Sequence, residues 1–381
     1  MSKQKKILFI LHIPPPIHGA AVVGKYINES RIINNSFNCK FINLGTSITV
    51  DEVNSIGLQK WIRYFKIIKE TRKILRELKP DLVYITLNSK GVGFYKDALV
   101  AFIAKYKGAK VVYHFHNKGV KTYQHKPIDN FLYQKTFNNS KVILLSKYLY
   151  PDIKKYVSEK NVYYCSNGIP EEDGSQKSEV GRTETEVVAT NTLQPVSCNL
   201  LFLSNLIESK GVFVLLDACM LLQEKQVPFQ CTFIGGEGDI TEEQFESIVN
   251  EKGLESCVTY AGKKHGEEKE EAFSNADIFV HPTYEDCFPL VLLEAMQFSL
   301  PIVSSLEGGI PSIVENSTSG FLVNKKDAHA LAEKLEILIK TPELRQKMGK
   351  AGRKKYEHEF TFEIFENKFK KILTNILKTS T

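Results

Sequence analysis

The residues that could do chemistry are densest in residues 281–296, which read HPTYEDCFPLVLLEAM. Two carboxylates stand in this stretch, Asp286 in a polar loop and Glu294 within the apolar body of the next helix. A carboxylate is costly to bury among aliphatic side chains unless it gains partners, and sugar or ribose hydroxyls are suitable ones. Backbone N–H groups where that helix begins would point at a phosphate. The residues at this helix start are Phe288, Pro289 and Leu290.

A lysine follows a predicted strand in the segment SNLIESKG, residues 204–211. Lys210 stands at the start of the next helix, where its charge would add to the positive end of the helix dipole. This placement suits a clamp for a diphosphate, although a solvated surface lysine gives the same pattern.

A glycine loop, GAAVVGK at residues 19–25, follows the first predicted strand and nearly matches the phosphate loop of nucleoside triphosphatases. The next residue is Tyr26, whose phenol is a poor replacement for the Ser or Thr hydroxyl that binds Mg²⁺ in that loop. The dinucleotide fingerprint G-x-G-x-x-G is absent as well. What remains is Gly19, which would let the backbone approach an anion at a helix N-terminus.

A histidine pair closes another predicted strand in the segment YHFHN, residues 113–117. Alternation along the strand places His114 and His116 on one face and Phe115 on the other. His116 stands at the strand end and is a candidate catalytic residue, with a structural hydrogen bond as the alternative role.

The sequence has no D-x-D pair and no C-x-x-C pair, so neither a metal ion nor another cofactor is predicted. Seven scattered cysteines argue against a disulfide framework and for reduced thiols in the cytoplasm. The longest apolar runs are far shorter than the ~20 residues that a membrane-spanning helix needs.

Short apolar runs alternate with longer helical patterns along the chain, which predicts an α/β fold of parallel sheets covered by helices. We expect two doubly wound, Rossmann-like domains that face a cleft, with ligands beyond the carboxyl ends of the strands. The predicted strands are residues 7–12, 39–44, 82–86, 110–115, 142–145 and 162–165, then 199–203, 229–234, 258–260, 278–281, 302–304 and 320–322.

Helical patterns lie between these strands and continue to the end of the sequence. The predicted helices lie near residues 21–30, 58–78, 95–106 and 129–137, then 211–225, 241–252, 269–273, 289–298, 328–340 and 342–360. The expected domains are residues 1–170, with residues 359–381 added as a last helix, and residues 199–358. A polar linker rich in Ser, Thr and Glu, residues 171–198, separates them.

Charge is divided unevenly between the two halves. Residues 1–170 hold 28 Lys and Arg against 10 Asp and Glu, a balance of +18, and the remaining residues balance to −12. Such a basic half attracts anionic lipid or phosphorylated substrates. Its most basic segment, residues 59–79, forms either a surface helix with an apolar stripe on the core or a helix on an anionic membrane. No nucleic-acid recognition motif occurs, so nucleic acid is not a predicted partner.

With these motifs the sequence resembles the retaining GT-B glycosyltransferases of family 4, the glycosyl transferases group 1. The resemblance covers nearly the whole chain, and it implies the GT-B fold with a last helix that crosses back onto the first domain. The matching segments are the acid-x7-Glu pair Asp286 and Glu294, the Lys-Gly loop 204–211, the P-x-x-x-G-G-like loop 15–20, the strand-end His116, NGIP at 167–170 and the last helix, 359–377.

The resemblance also implies a role for each matching residue. Glu294 would bind the nucleotide ribose, and Asp286 would bind hydroxyls of the donor sugar. Lys210 would neutralise the diphosphate, Gly19 would approach it through the backbone, and His116 would lie beside the transferred sugar.

Three positions differ from the family pattern. Asp286 replaces a glutamate and has Glu285 beside it as a rival for the same role. Gly19 is followed by Ala20 instead of a second glycine. Asn205 stands where the family has a basic residue, which predicts weaker leaving-group stabilisation or a basic substitute from the first domain.

The predicted function is a retaining, metal-independent hexosyltransferase that uses a nucleotide diphosphate sugar, with UDP favoured by family frequency. The expected acceptor is a saccharide or a polyprenyl-diphosphate-linked saccharide in surface polysaccharide synthesis. The expected location is the cytoplasm, with peripheral binding to the inner, anionic membrane face. Two alternatives remain: a non-catalytic nucleotide-sugar-binding protein and an NAD-dependent oxidoreductase.

Overall fold

The computed structural model describes residues 4–46, 58–171 and 197–379. The chain forms two compact units, one of residues 1–168 with 363–381 and the other of residues 169–362. Most of the predicted polar linker, residues 172–196, lies outside the described residues.

Six parallel strands form the sheet of the first unit. They are β1 (Lys6–Leu11), β2 (Asn38–Asn43), β3 (Leu82–Thr86), β4 (Val111–Phe115), β5 (Lys141–Leu144) and β6 (Val162–Tyr164). Their order in the sheet is β2-β1-β3-β4-β5-β6. The central strands β3 and β4 are buried along their whole length, as expected where helices cover both faces of a parallel sheet.

Among the described residues of this unit, seven α-helices connect these strands. They are α1 (Gly19–Glu29), α2 (Arg31–Ser36), α3 (Leu58–Leu78), α4 (Gly91–Tyr106), α5 (Val120–Tyr123), α6 (Pro127–Phe137) and α7 (Tyr150–Ile153). The basic helix α3 buries Tyr64, Ile67, Ile68 and Leu75. This part of its apolar stripe packs on the core, as the surface-helix interpretation requires.

The second unit has its own sheet of six parallel strands. They are β7 (Cys198–Leu203), β8 (Phe229–Ile234), β9 (Val258–Tyr260), β10 (Ile278–His281), β11 (Ile302–Ser305) and β12 (Gly320–Val323). Their order is β12-β11-β10-β7-β8-β9. The helices of this unit are α8 (Val212–Glu224), α9 (Glu242–Glu251), α10 (Glu267–Asn275), α11 (Leu290–Gln297), α12 (Ile310–Ile313), α13 (Ala328–Lys340) and α14 (Pro342–Glu359).

The last helix, α15 (Phe362–Lys378), returns to the first unit, as predicted. Its Phe369 ring lies 6.5 Å from the ring of Phe9, 5.4 Å from that of Tyr84 and 6.1 Å from that of His114. The helix therefore covers strands β1, β3 and β4.

The prediction of two doubly wound parallel sheets is confirmed, and each predicted strand is present with its ends shifted by one residue at most. Four short helices, α2, α5, α7 and α12, were not predicted, because four to six residues are too few to display a helical period.

Strand order fixes where a ligand can bind in each sheet. The chain reverses its direction of winding between β1 and β3 in the first unit and between β7 and β10 in the second. At such a point the loops beyond the carboxyl ends of two neighbouring strands diverge and leave a crevice. The segments that follow β1, β3, β7 and β10 are therefore the places to look for a site.

Candidate functional site

Lys210 and Asp286 meet at the winding reversal of the second sheet. Lys210 ends a short 3-10 helix, Glu208–Lys210, after β7, and Asp286 lies in the loop after β10. The Lys210 Nζ atom lies 2.5 Å from Asp286 Oδ2, and the two side chains are 24% and 15% exposed. Residues 76 positions apart in sequence thus form a shielded ion pair because their strands are neighbours.

Backbone contacts hold the two loops together. Gly211, which follows the lysine, has a φ of 89°, and a Cβ atom there would overlap the carbonyl group of Pro282. The Ser209 carbonyl accepts hydrogen bonds from Thr283 Oγ1 at 3.0 Å and from the Tyr284 N–H at 2.9 Å. The glycine is required here both by its backbone conformation and by the close approach of the second loop.

His281, the last residue of β10, lies beneath this ion pair. Its Nε2 atom is 3.8 Å from Asp286 Oδ2, and its ring is stacked near Phe202 and Phe279. Burial lowers the pKa of His281 despite the nearby carboxylate, so the ring is neutral at pH 7. No role is predicted for His281 from the sequence, because a single strand-end histidine has no distinctive signal.

The Asp286 carboxyl group is ionised in this setting. Burial by itself would raise its pKa, but the His281 ring and the Lys210 ammonium outweigh burial and hold the pKa well below its usual value. Its Oδ1 atom also accepts a hydrogen bond of 2.7 Å from the Cys287 N–H. The rival acid Glu285 is exposed, whereas Asp286 lies in the shielded ion pair.

Glu307 is a buried acid that holds the loop containing Asp286, and it was not predicted as a site residue. Its Oε1 atom accepts a hydrogen bond of 3.2 Å from the Asp286 N–H, and its Oε2 atom lies 2.9 Å from Lys325 Nζ. The adjacent Gly308 has a φ of 50°, and a Cβ atom there would overlap the Asp286 carbonyl oxygen. A carboxylate between two strand-end loops has no sequence signature of its own, which is why it was missed.

Glu294 belongs to a different ion pair. It lies on α11, half-buried, with its Oε1 atom 3.3 Å from Lys269 Nζ of α10. Phe288 and Pro289 are buried just before this helix, Leu290 is its first residue, and Pro289 occupies the N-cap position. The two predicted carboxylates therefore lie on one loop-and-helix segment, Asp286 in the loop and Glu294 in the middle of the helix, and each pairs with a different lysine.

A lysine lies close to Asn205, the position at which the family pattern has a basic residue. Asn205 is exposed and accepts a hydrogen bond of 3.1 Å from the Gly236 N–H, in the loop after β8. A Cβ atom placed on Gly236 would lie 3.5 Å from Asn205 Oδ1 and 3.7 Å from Lys263 Cδ. The exposed Lys263, which follows β9, is therefore beside Asn205, and it comes from the second unit instead of the first.

In the first unit, Gly19 is the first residue of α1. His18 caps this helix, and its Nδ1 atom accepts a hydrogen bond of 3.3 Å from the Ala21 N–H. A Cβ atom on Gly19 would meet no atom within 4 Å, so packing does not require this glycine. Gly24 is different, because a Cβ atom there would overlap the His12 carbonyl group. The second glycine of the loop-like motif thus serves close packing of α1 on β1.

Four histidines gather at the carboxyl edge of the first sheet. The His114 and His116 rings are 4.2 Å apart, as their predicted common face requires, and the His12 and His18 rings are 5.7 Å apart. Asn88, in the loop after β3, joins the group with its Nδ2 atom 3.4 Å from His12 Nε2. His12, His18 and Asn88 were not predicted as site residues, since they stand alone in sequence.

Burial keeps these histidines neutral. It lowers the pKa of His12 to about 3, with the charges of His18 and Lys96 acting in the same direction. It also lowers the pKa of His116 to about 3, with His12 and His18 as further causes. The His116 Nδ1 atom and the His114 Nε2 atom are buried without a hydrogen-bond partner. This edge therefore offers uncharged hydrogen-bonding groups.

Within residues 4–46, 58–171 and 197–379, no group of three or more His, Cys, Asp or Glu side chains is arranged to hold a metal ion. Across the same residues, no helix has both the length and the apolar character needed to cross a bilayer. Metal independence stays a prediction.

The second unit matches a known family. Residues 198–355 match the family model described as glycosyl transferases group 1. The amylovoran biosynthesis glycosyltransferase AmsK of Erwinia amylovora is 34% identical over 183 residues, which cover 46% of this chain and 44% of AmsK. The matched stretch thus covers less than half the length of this relative. Both Lys210 and Asp286 lie inside the matched family segment.

Solved structures match nearly the whole chain. The sucrose-phosphate synthase of Thermosynechococcus elongatus superposes with a TM-score of 0.74 and 17% identity, over 99% of this chain and all of that chain. HepE of Anabaena, solved in complex with UDP and glucose, gives a TM-score of 0.68 and 15% identity, over 98% of this chain and all of that chain. The fold is GT-B, as predicted.

Proposed function

We propose that this chain, whose second unit carries a glycosyl transferases group 1 domain, is a retaining, metal-independent hexosyltransferase. Its donor would be a nucleotide diphosphate sugar, with UDP favoured because HepE, a protein of the same fold, was solved with UDP. Its acceptor would be a saccharide or a lipid-linked saccharide of a surface polysaccharide, a product class in keeping with the name of AmsK.

The observation that carries this proposal is the Lys210–Asp286 pair over a neutral His281 at the winding reversal of the second sheet. Departure of a nucleoside diphosphate leaves negative charge on the phosphate oxygens. An ammonium held beside a winding reversal is suited to neutralise that charge. Asp286 would then accept hydrogen bonds from donor hydroxyls, and Glu294 would bind the ribose.

The transfer itself exchanges one bond for another. The bond between the anomeric carbon and the diphosphate oxygen breaks, and the acceptor oxygen bonds to that carbon on the same face. The acceptor proton passes to the departing diphosphate. Retention of configuration rests on the resemblance of the motifs to the family.

Lys263 would supply the cation that Asn205 lacks. Its side chain lies beside Gly236 and Asn205, so its flexible ammonium can reach an anion in that loop. Two lysines from one unit would then share the diphosphate charge, with no substitute needed from the first unit.

The first unit would take the acceptor. Neutral histidines and Asn88 are suited to bind hydroxyl groups without imposing a charge. The balance of +18 over residues 1–170 favours an anionic, diphosphate-linked acceptor and an anionic membrane face. The roles of Gly19 and His116 toward the donor remain predictions from the resemblance.

A non-catalytic nucleotide-sugar-binding protein is the second candidate. Asn205 favours it, because one cation of the family pattern is missing. Lys210→Ala separates the two functions, since a binding protein would lose affinity for the nucleotide but would have no turnover to lose.

The first test is thermal stabilisation by UDP, GDP, ADP, dTDP, ATP and NAD, each with and without Mg²⁺. A shift with one nucleoside diphosphate that EDTA leaves unchanged would support the proposal and name the base of the donor. A shift with NAD alone, or with Mg-ATP alone, would overturn it. Release of that nucleoside diphosphate from its sugar conjugate then distinguishes turnover from binding.

A further inference from the structure

Eight large apolar side chains are exposed in the first two turns of three helices of the first unit. They are between 39% and 75% exposed. The eight, which we call the apolar rim, are Leu58, Trp61, Ile62 and Phe65 of α3, Val92 and Tyr95 of α4, and Ile128 and Phe131 of α6. Single exposed apolar residues are ordinary, whereas eight at corresponding places on successive helices call for an explanation.

Hydrogen bonds show that the three helices are neighbours. Tyr64 of α3 donates its hydroxyl to the Lys96 carbonyl of α4 at 2.8 Å. Tyr95 of α4 donates to the Asp129 carboxylate of α6 at 3.2 Å. Each helix connects two parallel strands and so begins at the carboxyl edge of the sheet. The apolar rim therefore lies along the same edge as His12 and His116.

The outward face of α4 is apolar as well. Val92, Leu99 and Tyr106 recur at helical spacing and are all exposed, while Phe94, Ala98 and Ala101 on the other side are buried. A helix that is apolar on both faces is normally covered on both. Among the described residues the outer face of α4 stays exposed, which leaves it available to a partner.

Charge identifies the kind of partner. Between residues 88 and 137 the sequence has nine lysines and two acids, and both acids, Asp97 and Asp129, are buried. Neither α3 nor α4 has an acid in its first turn. Over residues 88–137 this surface therefore presents lysines and no exposed acidic side chain, which would repel a second copy of the same surface and attract an anionic one.

We propose that the apolar rim is a docking surface for the head-group region of an anionic lipid bilayer. The rim would insert its aromatic and aliphatic side chains among the acyl chains while the surrounding lysines contact the phosphates. The inference deepens the proposed function, because a bilayer at this edge would present a lipid-linked acceptor to the histidines. The docking itself does not require that the chain be an enzyme.

The test uses the only tryptophan of the chain, Trp61, which belongs to the rim. We expect its emission to shift to shorter wavelength on vesicles of phosphatidylcholine with about 30% phosphatidylglycerol, and to be quenched by brominated acyl chains. Vesicles of phosphatidylcholine alone, or about 0.5 M salt, should weaken binding. An unchanged emission spectrum on the anionic vesicles would overturn the proposal.

A matched pair of variants locates the surface. Val92→Ser/Ile128→Ser/Phe131→Ser should lower the vesicle partition coefficient at least about tenfold. Ile337→Ser, on α13 of the second unit and 40% exposed, should leave it unchanged. Equal loss of vesicle binding in both variants would contradict the assignment of the docking surface to the apolar rim. The proposal would also fail if the parent did not bind vesicles but formed a solution dimer that dissociates in the triple variant.

A second readout separates this inference from the proposed function. The triple variant should keep its thermal shift with the nucleoside diphosphate, since its three residues belong to the first unit whereas Lys210 and Asp286 belong to the second. Vesicle binding without any nucleotide response would leave the docking surface standing and the transferase proposal refuted. Nucleotide turnover without vesicle binding would refute the docking surface and leave the transferase proposal standing.

Discussion

The carboxyl edges of the two sheets occupy equivalent positions in two similar folds, but their side chains differ in charge. The edge of the second sheet is built from charges, with Lys210 paired to Asp286 and Lys325 paired to Glu307. The edge of the first sheet is built from His12, His114 and other histidines that burial keeps neutral. Topology therefore decides where a ligand can bind, and the side chains decide which part of a reaction that place can serve.

The difference matches the two halves of a transfer reaction. A departing diphosphate carries negative charge, and the Lys210 ammonium can neutralise that charge without changing its own protonation state. An incoming hydroxyl is neutral and needs a directional acceptor, which an uncharged imidazole offers. Changing one edge at a time should therefore produce different kinds of defects.

The largest expected effect is at Lys210. Lys210→Met should lower the transfer rate about 1,000-fold, because the ammonium acts on charge that develops in the transition state. Initial rates of nucleoside diphosphate release measure this. The control is Lys225→Met, which removes an exposed ion pair with Glu336 in the same unit and should retain the parent rate. Comparable losses in both variants would show that the effect is general and not specific to the site.

Asp286→Asn should cost about 100-fold in transfer rate and should also lower the free energy of unfolding at neutral pH. The folded-state pKa of Asp286 is depressed, so its stabilising contribution is present above about pH 4 and is lost as the pH falls further. Urea unfolding at pH 7, 5 and 3.5 measures it. The difference between parent and variant should be constant from pH 7 to 5 and smaller at pH 3.5. A difference that grows on acidification would contradict this assignment.

The histidine edge should respond to acid earlier. Because the pKa of His12 and that of His116 are lowered from 6.5 to about 3, the unfolded chain binds more protons than the folded chain below pH 6.5. The first unit should therefore lose roughly 1–2 kcal/mol per histidine between pH 6.5 and 5. Hydrogen exchange at both pH values, read separately on β4 and β10, measures this.

The double variant His12→Gln/His116→Gln serves as the control for that experiment. It should reduce the extra exchange of β4 at pH 5, with His114 and His18 accounting for what remains, and leave β10 unaffected. Faster acid-induced exchange in β10 than in β4 would mean that the two edges do not differ as described.

The smallest expected effect is at Lys263. Lys263→Met should weaken nucleoside diphosphate binding about tenfold, which is typical for one exposed charge–phosphate contact. Lys347→Met, an exposed lysine on α14, is the matched control. Titration calorimetry with the diphosphate distinguishes them. If Asn205→Arg restores the affinity of Lys263→Met, the two positions supply the same charge.

The sequence was sufficient for the fold because its signals are local. A run such as LVYIT in β3 is a buried strand wherever it occurs in such an alternation, and the strand–helix order then fixes a doubly wound sheet. Helices of four residues, such as α5, leave no period to detect. The ends of the long helix α3 were predicted to the residue, yet Trp61 is 46% exposed, since periodicity does not show which part of a stripe is covered.

The candidate site likewise has residues that local sequence signals reveal and contacts that only the fold reveals. Lys210 and Asp286 were found because each stands at a strand end beside a glycine or an acid-rich loop. Their ion pair could not be read from sequence, since it depends on β7 and β10 being neighbours. Glu307 and Lys263 were missed for the same reason: each acts through a loop that is distant in sequence and adjacent in space.

The position of α15 has a consequence for the order of folding during synthesis. This helix follows the whole second unit in the chain, yet its Phe369 covers Phe9, Tyr84 and His114 of the first. Domains usually fold in the order in which the ribosome releases them. Here the unit that begins first cannot complete its core until the second unit has been made. The nascent first sheet must therefore wait with part of one apolar face uncovered, and a chaperone that binds such surfaces would find its target during that interval.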